Sequence, residues 1–233
     1  PPSKIKLQGY KIRTKGHSKQ ISIAADAINE SARPVVYVGG GVLISNASNE
    51  LRQFAEKAHL PVTTTFLGLG AFDQSKPESL DMLGMHGTAY ANFAVQESDL
   101  LISIGARFED RVTGKLKTFA PKAKIIHIDI DPSSISKNIH VDIPVVGDAK
   151  VILNKLTEEV QYQPRDQWFT QIEEWKKKYP LNYDRKADVI KPQYVIEELY
   201  RQTKGDAIIA TGVGQHQMWA AQHYQYNHPR SWI

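Results

Sequence analysis

An α/β fold, a doubly wound parallel sheet with an incomplete second α/β unit, is what this sequence of 233 residues predicts. Three observations carry the prediction. Short Val- and Ile-rich runs recur along the chain, helical stretches lie between them, and after about residue 150 this alternation gives way to exposed helix, linker and a fresh start. Continuous apolar runs bounded by Gly, Pro or Asp are strands buried on both faces. Strand alternating with helix builds a parallel sheet.

The opening PPSKIKLQGYKIRTKG lacks the apolar centre of a signal peptide, so residues 1–17 read as a linker from a missing upstream domain. Residues 18–32 read as a helix with Ser18 as its N-cap. PVVYVGG at 34–40 is the first strand and its glycine turn. SNASNELRQFAEKAH follows, with Asn or Ser caps and Leu51, Phe54, Ala55 and Ala58 at helical spacing. Further strands are PVTTTF at 61–66, DLLISIGAR at 99–107, KIIHIDID at 124–131 and IPVVGD at 143–148. VILNKLTEEV closes this first domain, which spans 18–160. Residues 161–191 read as an exposed helix, with Trp168, Ile172 and Trp175 on one face, and a charged linker containing two prolines. The second unit, 192–233, starts with Pro192 as first helical residue. Its strand is GDAIIATGVG, a helix follows from Met218, and another strand begins at SWI.

Composition narrows the function. No run of about 18 apolar residues is present to span a bilayer. The net charge of +4 suits an anionic ligand, but Lys and Arg are scattered, and the densest cluster, WKKKY at 175–179, reads as a solvated helix face. That pattern argues against a nucleic-acid partner. With no cysteine, disulfides, thiolate nucleophiles and Cys-based zinc sites are excluded.

Chemistry concentrates at strand ends. Glycine turns stand at 39–41, 68–70, 105–107 and 147–148. Any α/β domain needs such turns, but four at successive strand ends favour a long ligand across the sheet edge, such as a dinucleotide. The GxGxxG fingerprint is absent, which disfavours an ordinary nicotinamide domain. Asp129 and Asp131 end a strand two residues apart. Ribose binding, a helix cap and metal ligation remain open for them, and Asp148 shares the ambiguity between ligand and cap. Arg107, Glu109, Asp110 and Arg111 share one loop, either an anion clamp or a surface salt-bridge network. His86 stands beside Met85 between glycines, without the partners a metal site needs.

YVGGG, TTTFLGLG, MLGMHGTAYAN, GARFEDRVTGK, HIDID, VVGD and TGVGQHQMWAAQ, in this order, make the chain from about residue 30 closely resemble the large catalytic subunit of the acetolactate (acetohydroxyacid) synthase family. GGG and HIDID are weak signals alone; MLGMHGT with RVTGK and GVGQHQMWAAQ is specific. The resemblance implies the central, FAD-binding domain of a thiamine-diphosphate enzyme plus the start of its diphosphate-binding domain. In the first turns the matching flavin positions are Gly39, Gly40, Thr65, Phe66, Leu67 and Gly68. The next loops add Leu83, Gly84, Met85, His86, Gly105, Arg107, Glu109, Arg111 and Val112, and the last strands add Asp129, Ile130, Asp131, Gly147 and Asp148. Val213, Gly214, Gln215 and His216 match residues lining thiamine diphosphate, with Gln217 and Met218 beside the flavin end. Asp110, Arg111 and Met85 also match positions near the family's inhibitor-binding substrate channel. Glu109 departs from the usual Asp, and Ser134 stands where a Glu is frequent.

The implied reaction joins two pyruvates, or pyruvate and 2-oxobutyrate, into a 2-acetohydroxy acid with release of CO2, an early step of branched-chain amino-acid synthesis. The implied flavin is structural, and Mg2+ would be held outside this segment. A homodimer, a regulatory small subunit and a location in bacterial cytoplasm or plastid stroma are also implied. The family's activating glutamate and magnesium motif find no match here, so the chain alone is expected to be inactive, with no catalytic or metal residue of its own. The alternatives are a flavin-dependent 2-oxo acid oxidase and a non-catalytic nucleotide-binding module.

Overall fold

A computed structural model describes residues 12–233; the part of the expected linker that precedes Ile12 lies outside the described residues. The Val- and Ile-rich runs form six parallel strands: β1 (Pro34–Val38), β2 (Val62–Thr64), β3 (Ser79–Met82), β4 (Leu100–Ile104), β5 (Lys124–Asp129) and β6 (Ile143–Val146), in the order β3-β2-β1-β4-β5-β6. Every residue of β1 and β4 is buried, as central strands require. Connections between parallel strands must cross a face, and helices supply them. The α-helices in chain order are α1 (Ser18–Glu30), α2 (Gly40–Ile44), α3 (Ser48–Ala58), α4 (Ala89–Glu97), α5 (Asp110–Thr113), α6 (Ala149–Glu159), α7 (Asp166–Lys178), α8 (Pro192–Thr203) and α9 (Gln215–His223); α2 and α3 join β1 to β2, α4 joins β3 to β4, and α5 lies between β4 and β5.

Alternation along each strand divides the core. Val36, Val38, Ile102, Ile104, Ile126 and Ile128 face α1, α3 and α6. Val35, Tyr37, Leu101 and Ile125 face α4 and α7. Helix α7 is therefore no exposed helix. Trp168 and Ile172 are buried in the second face, and the Trp168 indole donates to the Pro34 carbonyl at 3.0 Å. Its Trp/Ile stripe was the apolar side of a sheet cover. Lys176 in the WKKKY cluster is likewise engaged, donating to the Pro77 carbonyl at 2.8 Å.

Several local expectations change. Ser18 is the first residue of α1, whose N-cap is His17, and α3 starts behind Ala47; neither cap makes a side-chain hydrogen bond. Ala47 is fully buried, so core packing rather than a polar cap sets that helix start. Strand β3 was not legible because its central Asp81 is polar and adopts a left-handed φ of 56°. The expected strand at 205–214 is reduced to a parallel bridge of Ile209 with Trp232, with Ile209 donating to Ser231 at 2.7 Å and Ile233 donating to Ile209 at 2.9 Å. Two parallel strands without a third are marginal, and Ile208 beside the bridge is 69% exposed. The second unit sits against the β3 side through Leu69, Met82, Ala220, Ala221, Tyr224, Tyr226 and Trp232.

Candidate functional site

Because all six strands are parallel, their carboxyl ends form one rim. Along it lie, in spatial order, the turns after β3 (83–87), β2 (65–68), β1 (39–41), β4 (105–112), β5 (129–131) and β6 (147–148). At roughly 4.8 Å per strand the rim extends about 24 Å, so a single elongated ligand is needed to touch them all. The strand order reverses between β1 and β4, the switch point where open α/β sheets bind ligands.

Glycine makes that switch point possible. A Cβ on Gly39 would meet the Gly105 carbonyl at 2.2 Å, and one on Gly41 would meet the Gly105 Cα at 2.7 Å. The two turns are stitched by Gly39 N–H to Ile104 O and Gly41 N–H to Gly105 O, both 3.0 Å. Beside them Thr65 Oγ1 is buried with no hydrogen-bond partner among the described residues. A buried hydroxyl left over at a ligand-facing strand end is a polar group that a bound molecule would satisfy.

The 105–111 loop sorts its residues by alternation. Ala106 and Phe108 are buried, while Arg107 and Glu109 are exposed. Phe108 wedges among Tyr37, Phe119 and His127, with ring centroids 5.8, 6.0 and 5.2 Å away. Three hydrogen bonds hold the backbone of residues 106–108: Tyr37 Oη to Arg107 O at 3.2 Å, His127 Nε2 to Ala106 O at 2.9 Å, and Asn138 Nδ2 to Phe108 O at 2.6 Å. Arg107 and Glu109 line a cleft of about 90 Å³ with Phe108, Ser134, Lys137 and Asn138. Neither Arg107 nor Arg111 forms an ion pair among the described residues, so the salt-bridge reading of this loop is not realised. Two unpaired guanidinium groups beside a glycine-lined rim suit an anion. Lys137, Asn138 and the buried anchors Tyr37 and His127 escaped sequence reasoning; only the lysine, in the turn after HIDID, carried a signal.

His127 is a structural histidine. Burial holds its pKa below the ordinary value, outweighing the opposing pull of Asp129. The Ala106 carbonyl selects the Nε2–H tautomer, leaving Nδ1 buried and unpartnered among the described residues. With the folded pKa below the unfolded one, the neutral ring's contribution is whole above about pH 6.5 and is lost as pH falls below it. His223 is shifted down by burial too and acts in the same direction. Unfolding free energy is therefore expected to fall by up to about 1.4 kcal/mol per pH unit for each fully titrating histidine. His127→Gln, which keeps a donor, should flatten the slope between pH 7.5 and 5 in urea denaturation.

Asp131 and Asp148 act as caps in the structure. Asp131 lies past the end of β5 and accepts from the Ser133 amide at 2.9 Å and the Ser133 hydroxyl at 2.8 Å. Asp148 caps α6 through Val151 N–H at 3.2 Å and accepts from Ser45 Oγ at 2.7 Å. Asp129 accepts from the Asp131 amide at 2.8 Å and is partly covered. Among the described residues no group of three His, Cys, Asp or Glu side chains is arranged to hold a metal ion.

The turn after β3 presents Met85, which is 64% exposed, and His86 to solvent. Gln222 of α9 donates to the His86 carbonyl at 2.8 Å, which brings the second unit to the rim. At the other end of α9, Val213 is 95% exposed, Gln215 and His216 are exposed, and Gly214 offers no capping side chain. First-turn amides of a helix have no intrahelical acceptor, so this end fits an anionic group. No helix among the described residues is long and apolar enough to cross a membrane.

Comparison with known proteins places the chain in a family. Residues 21–156 match the family model described as "Thiamine pyrophosphate enzyme, central domain". The whole chain is 48% identical over 236 residues to the acetolactate synthase large subunit of Buchnera aphidicola from Schizaphis graminum, covering 41% of that protein. It is 48% identical over 238 residues to that of Haemophilus influenzae, covering 42% of it. To the isozyme 3 large subunit of Escherichia coli K12 it is 44% identical over 239 residues, again all of this chain and 42% of the relative. The chain thus spans about two fifths of the length of the curated relatives it matches.

Proposed function

The chain belongs to the thiamine pyrophosphate enzyme family, carrying its central domain, and from that premise we propose that it is the flavin-binding part of an acetolactate synthase large subunit. The observation that carries the reading is the single rim. Six strand ends, a glycine-only crossing at the switch point and two unpaired arginines are arranged for one elongated, anionic dinucleotide, and FAD has that shape and charge. Gly39, Gly40 and Gly105 allow its backbone approach, Thr65 Oγ1 is a free polar partner, and Arg107 and Arg111 neutralise phosphate or stack on a ring. Asp131 and Asp148 hold the turns as caps, Asp129 holds the first by accepting from the Asp131 amide, and all three leave carboxylate lone pairs for ribose hydroxyls.

The N-terminal turn of α9, from Gly214, is proposed as one wall of a thiamine diphosphate site. When bound, that cofactor supplies the means to cleave and reform the bond next to a 2-oxo acid's carbonyl. This chain's share would be to bind and orient it, with the first-turn amides of α9 available to a phosphate. We place the end of the flavin domain after α7, because Trp168 and Ile172 complete its second face. The substrates are proposed to be pyruvate and 2-oxobutyrate, Mg2+ to bind outside this chain, and the cytoplasm to be the location. A homodimer with a regulatory small subunit is proposed as the assembly.

Flavin fluorescence titration tests this reading. The chain is expected to bind one FAD, and Arg111→Ala to weaken it about 10- to 100-fold, the loss of a charge-assisted contact of about 1.5–3 kcal/mol. Acetolactate should form with the full-length polypeptide and not with this chain alone. Flavin bleached by pyruvate would favour the oxidase instead, and absence of flavin binding would refute both.

A further inference from the structure

The turn at 84–87 is gripped from two sides. On one side Met85 N–H donates to Arg111 O at 2.9 Å, and Gly84, at φ 105°, brings its backbone so close that a Cβ would stand 2.8 Å from the same carbonyl. Asn92 Nδ2 fixes the turn from within by donating to Gly84 O at 3.1 Å. On the other side Gln222 Nε2 donates to His86 O at 2.8 Å. Gln222 lies near the end of α9, seven residues from Gln215. Those seven residues span about 10 Å of continuous helix, and Tyr226 Oη to Ala220 O at 3.0 Å ties that helix to the third core cluster.

A connected path therefore runs from the Arg111 loop through the 84–87 turn and Gln222 to the exposed first turn of α9. We propose that Gln222 is a positioning residue that couples the two ends of this path, so that filling the rim with FAD favours thiamine diphosphate at α9, and the reverse. The inference rests on the flavin and thiamine reading above. Its physical content is that the amide donor fixes where α9 stands relative to the turn. A ligand that orders either partner then spares the other ligand part of that ordering. One neutral hydrogen bond sets the scale at about fivefold in affinity.

The test uses the full-length polypeptide and reads FAD affinity by flavin fluorescence, with and without saturating thiamine diphosphate and Mg2+. In the wild type FAD should bind about fivefold tighter with the second cofactor present. Gln222→Glu, equal in length but without the N–H donor, and Gln222→Ala should bring that ratio to about one. Their FAD affinity without thiamine diphosphate and their thermal midpoint should hold. A ratio of one in the wild type, a ratio retained in both variants, or equal losses of affinity under both conditions would overturn the coupling. Failure of the wild type to bind FAD at all would instead strike the functional reading.

Discussion

Gly39→Ala is expected to cost about 3 kcal/mol of stability, an overpacking effect at the upper end of its usual range, and about a hundredfold in FAD affinity. The reason is contact rather than torsion. Gly39 has an ordinary φ of −108°, but an added methyl would lie 2.2 Å from Gly105 O, 2.5 Å from Ala106 Cα and 2.7 Å from Ala106 Cβ. None of these atoms is the tip of a flexible side chain. Relief must come from parting the ends of β1 and β4, which breaks the hydrogen bonds of Gly39 and Gly41 across the switch point. Gly40→Ala is the control. Its nearest neighbour would be Leu67 O at 3.2 Å, so a small shift suffices and the stability cost should be much smaller, which separates overpacking from obstruction of the ligand. Urea unfolding and flavin titration of the two variants provide the comparison.

Arg165→Met should be the most destabilising change, at about 3–5 kcal/mol, the range for stripping a buried charged group from its partners. Arg165 is 3% exposed and meets no carboxylate in ion-pair distance among the described residues. Its guanidinium instead donates to Ile28 O at 2.6 Å, to Ser31 O at 3.1 Å and to Ala58 O. These carbonyls close α1 and α3, so one cation serves the negative ends of two helices. Methionine fills the volume and leaves the three acceptors buried and unmet. Arg165→Lys keeps the charge but not the planar fork, and should recover less than half of the loss. At 2–4 °C per kcal/mol for a chain of this size, the methionine variant should melt about 10 °C lower.

The sheet was legible in sequence because buried parallel strands are written as unbroken apolar runs, and β1 and β4 are the clearest. Strand β3 was not, since Ser79 and Asp81 break the run and its burial comes from neighbours far away in sequence. The aromatic stripe of α7 was seen, but whether it faced solvent or sheet depends on Arg165 and Trp168 reaching back to α1, α3 and β1. Glycine turns and the arginine loop marked the rim directly. What pins that loop, His127, Tyr37 and Asn138, was hidden because those contacts are made by tertiary neighbours rather than local spacing. Asp131 and Asp148 show the limit of a strand-end carboxylate as a signal. A capping role and a ligand role ask for the same residue in the same place, and the structure displays the cap.

The most direct measurement is a stepwise FAD titration of this polypeptide followed by amide hydrogen exchange in each rim turn. One elongated flavin spanning the rim should protect the turns after β3, β2, β1, β4, β5 and β6 together, with a single midpoint matching the fluorescence titration. Protection confined to one or two neighbouring turns, or separate midpoints for the two halves of the sheet, would contradict it.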